Sequence, residues 1–146
     1  MRYINIHSQR RTAGVNEITI QSLYSGFDDV NANGYFSLGL HPWHLSPGWQ
    51  HEFELLTNKA SLKNVVAIGE CGLDKLTTTD LDRQKEVFVA HIDLALKLKK
   101  PLVIHCVKAY EEVLALLKPV NKESPVIFHG FDKNRVLAGQ LLDKGY

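Results

Sequence analysis

Short apolar runs alternate with stretches of helical period along this chain. The clearest run is Val65-Val66-Ala67-Ile68-Gly69-Glu70-Cys71-Gly72-Leu73-Asp74. Its apolar half predicts a buried strand that stops at Glu70, a carboxylate bracketed by glycines. An ionised carboxylate in a poorly hydrated place must be paired or must hold a cation. For Glu70 alone, a salt bridge or simple exposure at the strand end reads as well. Two later runs repeat the design: Pro101-Leu102-Val103-Ile104-His105 and Pro125-Val126-Ile127-Phe128-His129 each end in an imidazole.

The remaining pattern fills in the order of elements. Tyr3–His7, Ile18–Tyr24 and Tyr35–His41 predict strands, the first and third again ending in histidine. Ser8–Gly14 is loop-like, and Asn31-Ala32-Asn33-Gly34 is a turn signal. Ser46-Pro47 opens a predicted helix through Phe53, Leu55 and Leu56. Thr79 or Asp80 caps a long one with Val87, Phe88, His91, Ile92, Ala95 and Leu98 on one face, stopped by Pro101. Val113 to Leu117 marks a helix closed by Lys118-Pro119. Asp132 caps a last helix through Val136, Leu137 and Leu141, with Gly145 as its stop.

Alternating strands and helices predict an α/β fold with a parallel sheet. In such sheets the working face lies at the carboxyl ends of the strands. Five of six predicted strands end in His7, His41, Glu70, His105 or His129, so these side chains are expected to converge on one rim.

Composition narrows the function classes. The 146 residues suit one domain, spanning 1–146. A net charge of +1 excludes a global basic field that recruits nucleic acid. No apolar run is long enough to span a bilayer. Two cysteines make no disulfide framework and fit a reducing, cytoplasmic setting.

The motifs Gly39-Leu40-His41-Pro42, Ala67-Ile68-Gly69-Glu70-Cys71-Gly72-Leu73-Asp74, Pro101–His105 and His129-Gly130-Phe131, together with Gln84, Phe88 and Ala95 before Pro101, resemble the TatD-type metal-dependent deoxyribonuclease family. That family belongs to the amidohydrolase superfamily of (β/α)8 TIM barrels. The resemblance covers the whole chain. It implies a site for up to two divalent ions (Zn, Mn or Mg) bridged by Glu70. His105 and His129 would hold one ion with Glu70, and His7 the other. His41 is implied as a substrate or leaving-group contact, and Glu70 and His41 as the catalytic residues. The implied activity is phosphodiester hydrolysis, with DNA or a small phosphoester as substrate.

Two departures from the family pattern stand out. Its first strand ends in His-x-His, whereas this chain reads His7-Ser8-Gln9, with Gln9 at the second position. A full barrel needs eight strands and roughly 200 residues or more; this chain supplies about six strands, and nothing matches the aspartate of the family's last strand. A non-catalytic relative that binds metal or nucleic acid, and an esterase or lactonase on a similar cluster, are therefore alternative expectations. An incomplete sheet also has exposed edges, which predict self-association or completion by another chain.

Other residues keep two readings each. Lys75, Lys108, Lys133, Arg10 and Arg11 either meet substrate phosphates or are solvated loop cations. Trp43 either stacks on a base or packs the rim. Asp74 orients the loop or a ligand. His44 and His51 read as surface or loop residues, His91 as a hydrogen-bonded core histidine. Cys71 and Cys106 read as buried thiols facing away from the site.

Overall fold

A computed structural model describes residues 3–9, 16–30, 33–120 and 124–146. Arg10, Arg11 and the rest of the predicted first loop to Gly14 lie outside these residues, as do Asn31 and Ala32 of the predicted turn. The strands are β1 (Tyr3–Ser8), β2 (Glu17–Leu23), β3 (Tyr35–Leu38), β4 (Val65–Asp74), β5 (Leu102–Val107) and β6 (Val126–Phe128). The helices are α1 (Trp49–Ala60), α2 (Leu81–Leu98), α3 (Tyr110–Leu116) and α4 (Arg135–Asp143). All five strand pairs are parallel, and the sheet order is the chain order, β1 to β6. This is the winding of a (β/α) barrel carried through six strands and left open. β1 and β6 are its edges, and Tyr3 and Ile4 on β1 are 65% and 64% exposed.

The core lies between the sheet and the helices. Leu38, Ile68, Leu102 and Ile104 from the strands meet Leu56 of α1 and Phe88 of α2, all fully buried. The apolar face predicted for α2 is observed, with Leu98 at its margin. Asp80 caps that helix, its side chain accepting from Arg83 N at 2.9 Å. Lys99, at φ 53°, ends it two residues before Pro101.

His91 is the core histidine the helical pattern implied. It is fully buried, accepts the Leu40 N–H on Nε2 at 2.9 Å and donates from Nδ1 to Val87 O at 2.8 Å. That pairing fixes the neutral ring, and burial lowers its pKa to about 4 from 6.5. Between those values the unfolded chain binds the proton that the folded chain refuses. Stability is therefore expected to fall as pH drops through this window, at up to about 1.4 kcal/mol per unit for this one group. In urea titrations from pH 7 to pH 4, His91→Gln should show a shallower decline than the parent. Equal slopes would mean that His91 does not contribute.

Several boundaries differ from the sequence expectation. β3 stops at Leu38, so His41 lies beyond the strand and caps a 3₁₀ turn, Pro42–His44. The chain turns off there because Gly39 crosses tightly over β4; a Cβ on it would lie 2.5 Å from Glu70 O. β4 does not stop at Glu70 but runs on to Asp74, because Gly72, Leu73 and Asp74 pair with His105, Cys106 and Val107 of β5. α1 is capped at Gly48 rather than Ser46, whose hydroxyl bonds Glu52 Oε1 at 3.0 Å instead. α4 is capped by Asn134, which accepts from Leu137 N at 3.0 Å; Asp132 is paired with Lys133.

Candidate metal centre

The carboxyl ends of the strands bring one carboxylate and four imidazoles together. Glu70 is 5% exposed at the middle of β4. The β4–β5 register shifts between Ile68 and Cys71. Such a bulge re-aims a strand's side chains. Beyond it Cys71 and Leu73 pack into the main core, while Glu70 and Asp74 turn to the opposite face. Glu70 Oε1 lies 3.2 Å from His105 Nδ1 and 3.1 Å from His129 Nδ1. Glu70 Oε2 lies 3.2 Å from His7 Nε2 and 3.9 Å from His41 Nε2. The rings also touch one another: the His7 and His129 centroids are 4.0 Å apart, those of His41 and His105 4.5 Å.

Behind this cluster stands a second set of groups. His105 Nε2 contacts Asp74 Oδ2 at 2.9 Å, and Trp43 Nε1 donates to the same oxygen at 2.7 Å. Asp74 Oδ1 accepts from Leu76 N at 2.8 Å. The Asp74 main chain is held from α2, where Gln84 Oε1 accepts its N–H at 2.7 Å and Gln84 Nε2 donates to its carbonyl at 3.1 Å. Asp74, read in the sequence as orienting the loop or a ligand, contacts Leu76 N in that loop through Oδ1 and His105 through Oδ2. Gln84 as a clamp was not anticipated. Alternation places residues 70, 72 and 74 on one face of the strand but carries no signal for the Gln84 clamp.

The electrostatics follow from this packing. Burial acts to raise the Glu70 pKa, but the His105 hydrogen bond and the charges of His7, His41 and His129 outweigh it and bring it to about 2. Burial lowers His41 to about 4 against the pull of Glu70, and lowers His7 in the same way. His105 is raised: burial opposes its charge, but hydrogen bonds to Glu70 and Asp74 more than compensate. Asp74 is lowered, its burial offset by the bonds from Trp43, His105 and Leu76. The site thus presents an ionised carboxylate among imidazoles, and hydrogen on a ligating ring nitrogen must leave when a cation binds.

Among the described residues, two groups of three have ligand atoms within 4.8 Å of one another: His7, Glu70 and His129, and His41, Glu70 and His105. Imidazole with carboxylate, and no thiolate, suits Zn or Mn. The donor set therefore fits divalent ions, with Glu70 common to both groups. The grouping is not the division implied by the family resemblance, which joined His105 to His129.

A cavity of about 400 Å³ opens over the cluster. Gln9, Trp43, Asp132 and Lys133 line it beside Glu70 and the four histidines. Lys108 does not line it, although it follows β5 directly and holds a left-handed φ of 51°. Lys75 is paired with Glu112 and Lys133 with Asp132. Trp43 is 55% exposed and lies in T-shaped contact with His41 and His105. His44 stacks on Tyr24, and His51 is exposed on α1. Cys71 and Cys106 are free and buried, and burial raises both thiols, Cys106 to about 12. Cys106 nevertheless borders the cavity, closer to the site than its predicted outward position.

A parallel sheet wound in chain order, with histidines gathered on one carboxylate at its carboxyl end, defines an open (β/α)-barrel fold with a metal-type centre. The family model for TatD-related DNases matches residues 8–146, and the chain belongs to that family. It is 31% identical over 139 residues to an uncharacterized metal-dependent hydrolase of Buchnera aphidicola, covering 90% of this chain and 51% of that protein. It is 36% identical over 116 residues to the metal-dependent hydrolase YcfH of Escherichia coli K12, covering 78% and 43%. It is 37% identical over 109 residues to the 3'-5' ssDNA/RNA exonuclease TatD of Pantoea ananatis, covering 73% and 42%. The chain thus spans about half the length of the curated relatives it matches. In fold it matches the TatD homologue YJJV of E. coli K12, with a TM-score of 0.79 at 22% identity, covering 99% of this chain and 66% of that one. Among the described residues no helix is long and apolar enough to cross a membrane.

Proposed function

We propose that this chain carries the metal centre of a hydrolase that cleaves phosphodiester bonds, with DNA as its substrate. The observation that supports it most is the gathering of His7, His41, His105 and His129 on Glu70 in a member of the TatD-related family. Glu70, His105 and His129 would hold one ion and His7, with Glu70, a second, as Zn, Mn or Mg. Bound there, divalent ions would supply Lewis acidity to a phosphoryl oxygen and a template for the attacking and leaving oxygens. Gln9 offers a carbonyl oxygen where the family places a histidine. His41 faces the cavity as a contact for substrate oxygen. Trp43 offers an exposed ring on which a base stacks. Lys133 on the cavity wall supplies a cation for phosphates, whereas Lys108 lies off that wall. The residues 1–146 act as one domain, and the cytoplasm, where two free thiols persist, is its compartment.

Gln9, standing where the family places a histidine, supports a second reading, in which the chain binds metal without turnover. Both are tested by incubating the chain with a labelled single-stranded oligonucleotide and Mn²⁺, beside EDTA and Glu70→Ala controls. Cleavage lost in both controls is the expected result. Glu70-dependent metal binding without cleavage would favour the second reading. Turnover of esters or lactones but not of the oligonucleotide would replace the substrate class.

A further inference from the structure

A neutral imidazole has one bare nitrogen and one N–H. The bare nitrogen is the one that can hold a metal, and the hydrogen bond at the other nitrogen decides which it is. For two of the four histidines on Glu70, the neighbours make this choice, and they make it in opposite senses.

His105 Nε2 faces Asp74 Oδ2 at 2.9 Å. An ionised carboxylate only accepts, so Nε2 carries the hydrogen. Nδ1 faces the other carboxylate, Glu70 Oε1, at 3.2 Å; a cation held by Glu70 displaces hydrogen from this nitrogen and not from the one on Asp74, so Nδ1 is the ligating nitrogen. At His41 the order is reversed. Its Nδ1 accepts the main-chain N–H of Trp43 at 3.3 Å. A backbone N–H only donates, so Nδ1 is bare, and the nitrogen turned to the centre, Nε2, carries the hydrogen. His41 thus offers the cavity a donor, although its distances alone fit a ligand triad.

We propose that Asp74 and Trp43 sort these histidines: Asp74 is a positioning residue that makes His105 a ligand through Nδ1, and the Trp43 main chain keeps His41 out of the ligand set as an N–H donor to an anionic oxygen. The proposal rests on the metal-dependent reading above and deepens it. Asp74 is suited to this task and not to ligation. Its oxygens are occupied by Trp43 Nε1, His105 and Leu76 N, and Gln84 clamps its main chain. Trp43 joins the two histidines, giving its main-chain N–H to His41 and its indole N–H to the carboxylate that orients His105. His7 has no such support: its buried Nδ1 has no hydrogen-bond partner among the described residues.

The test pairs Zn²⁺ calorimetry with long-range ¹⁵N–¹H spectra of the histidine rings, on the full 146-residue chain. In the Zn²⁺-loaded parent, both rings should show hydrogen on Nε2, with a metal-shifted Nδ1 at His105 and none at His41. His41→Ala should keep the parent's Zn²⁺ affinity within about threefold. Asp74→Asn presents one acceptor oxygen where three donors arrive, Trp43 Nε1, His105 Nε2 and Leu76 N. It should lose the fixed His105 signature and weaken Zn²⁺ binding roughly 10- to 100-fold, the usual loss for an outer-shell partner. Asp74→Glu should recover part of that loss. A metal-shifted His41, or hydrogen on its Nδ1, would overturn the sorting whether or not any variant folds. A parent that binds no Zn²⁺ would overturn the metal reading itself, and the role of His105 with it.

Discussion

Gly72→Ala is expected to cost about 4 kcal/mol or more, at the far end of what single substitutions do. A Cβ at residue 72 would lie 2.1 Å from His105 O and 3.1 Å from His105 C, both main-chain atoms of the paired strand. Its φ of 139° is also one that L residues rarely adopt. Neither strand has room to yield, because Leu73 and Ile104 beside the contact are fully buried. For a chain of this size the loss corresponds to a fall in Tm of roughly 10 to 20 °C. Gly139→Ala is the control: within α4 a Cβ there meets nothing within 4 Å. That variant should match the parent or gain a few tenths to about 1 kcal/mol from helix propensity. Thermal unfolding by circular dichroism checks both. A Gly72→Ala protein that melts with the parent would mean that β4 and β5 do not approach this closely.

The largest expected effect on the site comes from Glu70→Gln. Glu70 is the only residue common to both triads, and all four imidazoles face its two oxygens. The substitution keeps the shape but removes the charge and one acceptor oxygen. The loss of Zn²⁺ or Mn²⁺ affinity should exceed the roughly 100-fold that marks the loss of an outer-shell partner. Calorimetric titration of both proteins measures it, with the far-ultraviolet spectrum as a check on folding. Affinity unchanged in Glu70→Gln would place any bound ion elsewhere.

The sequence exposes these residues unevenly, for physical reasons. Glu70, His105 and His129 follow apolar runs, and a buried strand that meets a ligand-type residue is visible without a structure. The apolar run places His41 at the right end of the molecule but on a strand, whereas it lies beyond β3. The end of β3 is set by how closely Gly39 crosses β4, a contact between segments far apart in the chain. The extension of β4 to Asp74 has the same origin. Cys71–Asp74 has no continuous apolar run, and its pairing with β5 makes it strand. Asp74 and Gln84 show the deeper limit. Alternation places Asp74 on the Glu70 face, yet its bond to His105 and its clamp from α2 arise only when the helix lies across the sheet. The misplaced caps at Ser46 and Asp132 are local: each polar side chain has a nearer partner, Glu52 and Lys133.

The most direct measurement is anomalous diffraction from crystals of the 146-residue chain grown with Zn²⁺ or Mn²⁺. The expected result is an anomalous peak within coordination distance of Glu70, ligated by His105 Nδ1 and by imidazole and carboxylate atoms only, at about 2.0–2.2 Å for zinc. Peaks confined to His44, His51 or other surface groups, with the Glu70 cluster empty at saturating metal, would contradict a metal centre at these strand ends.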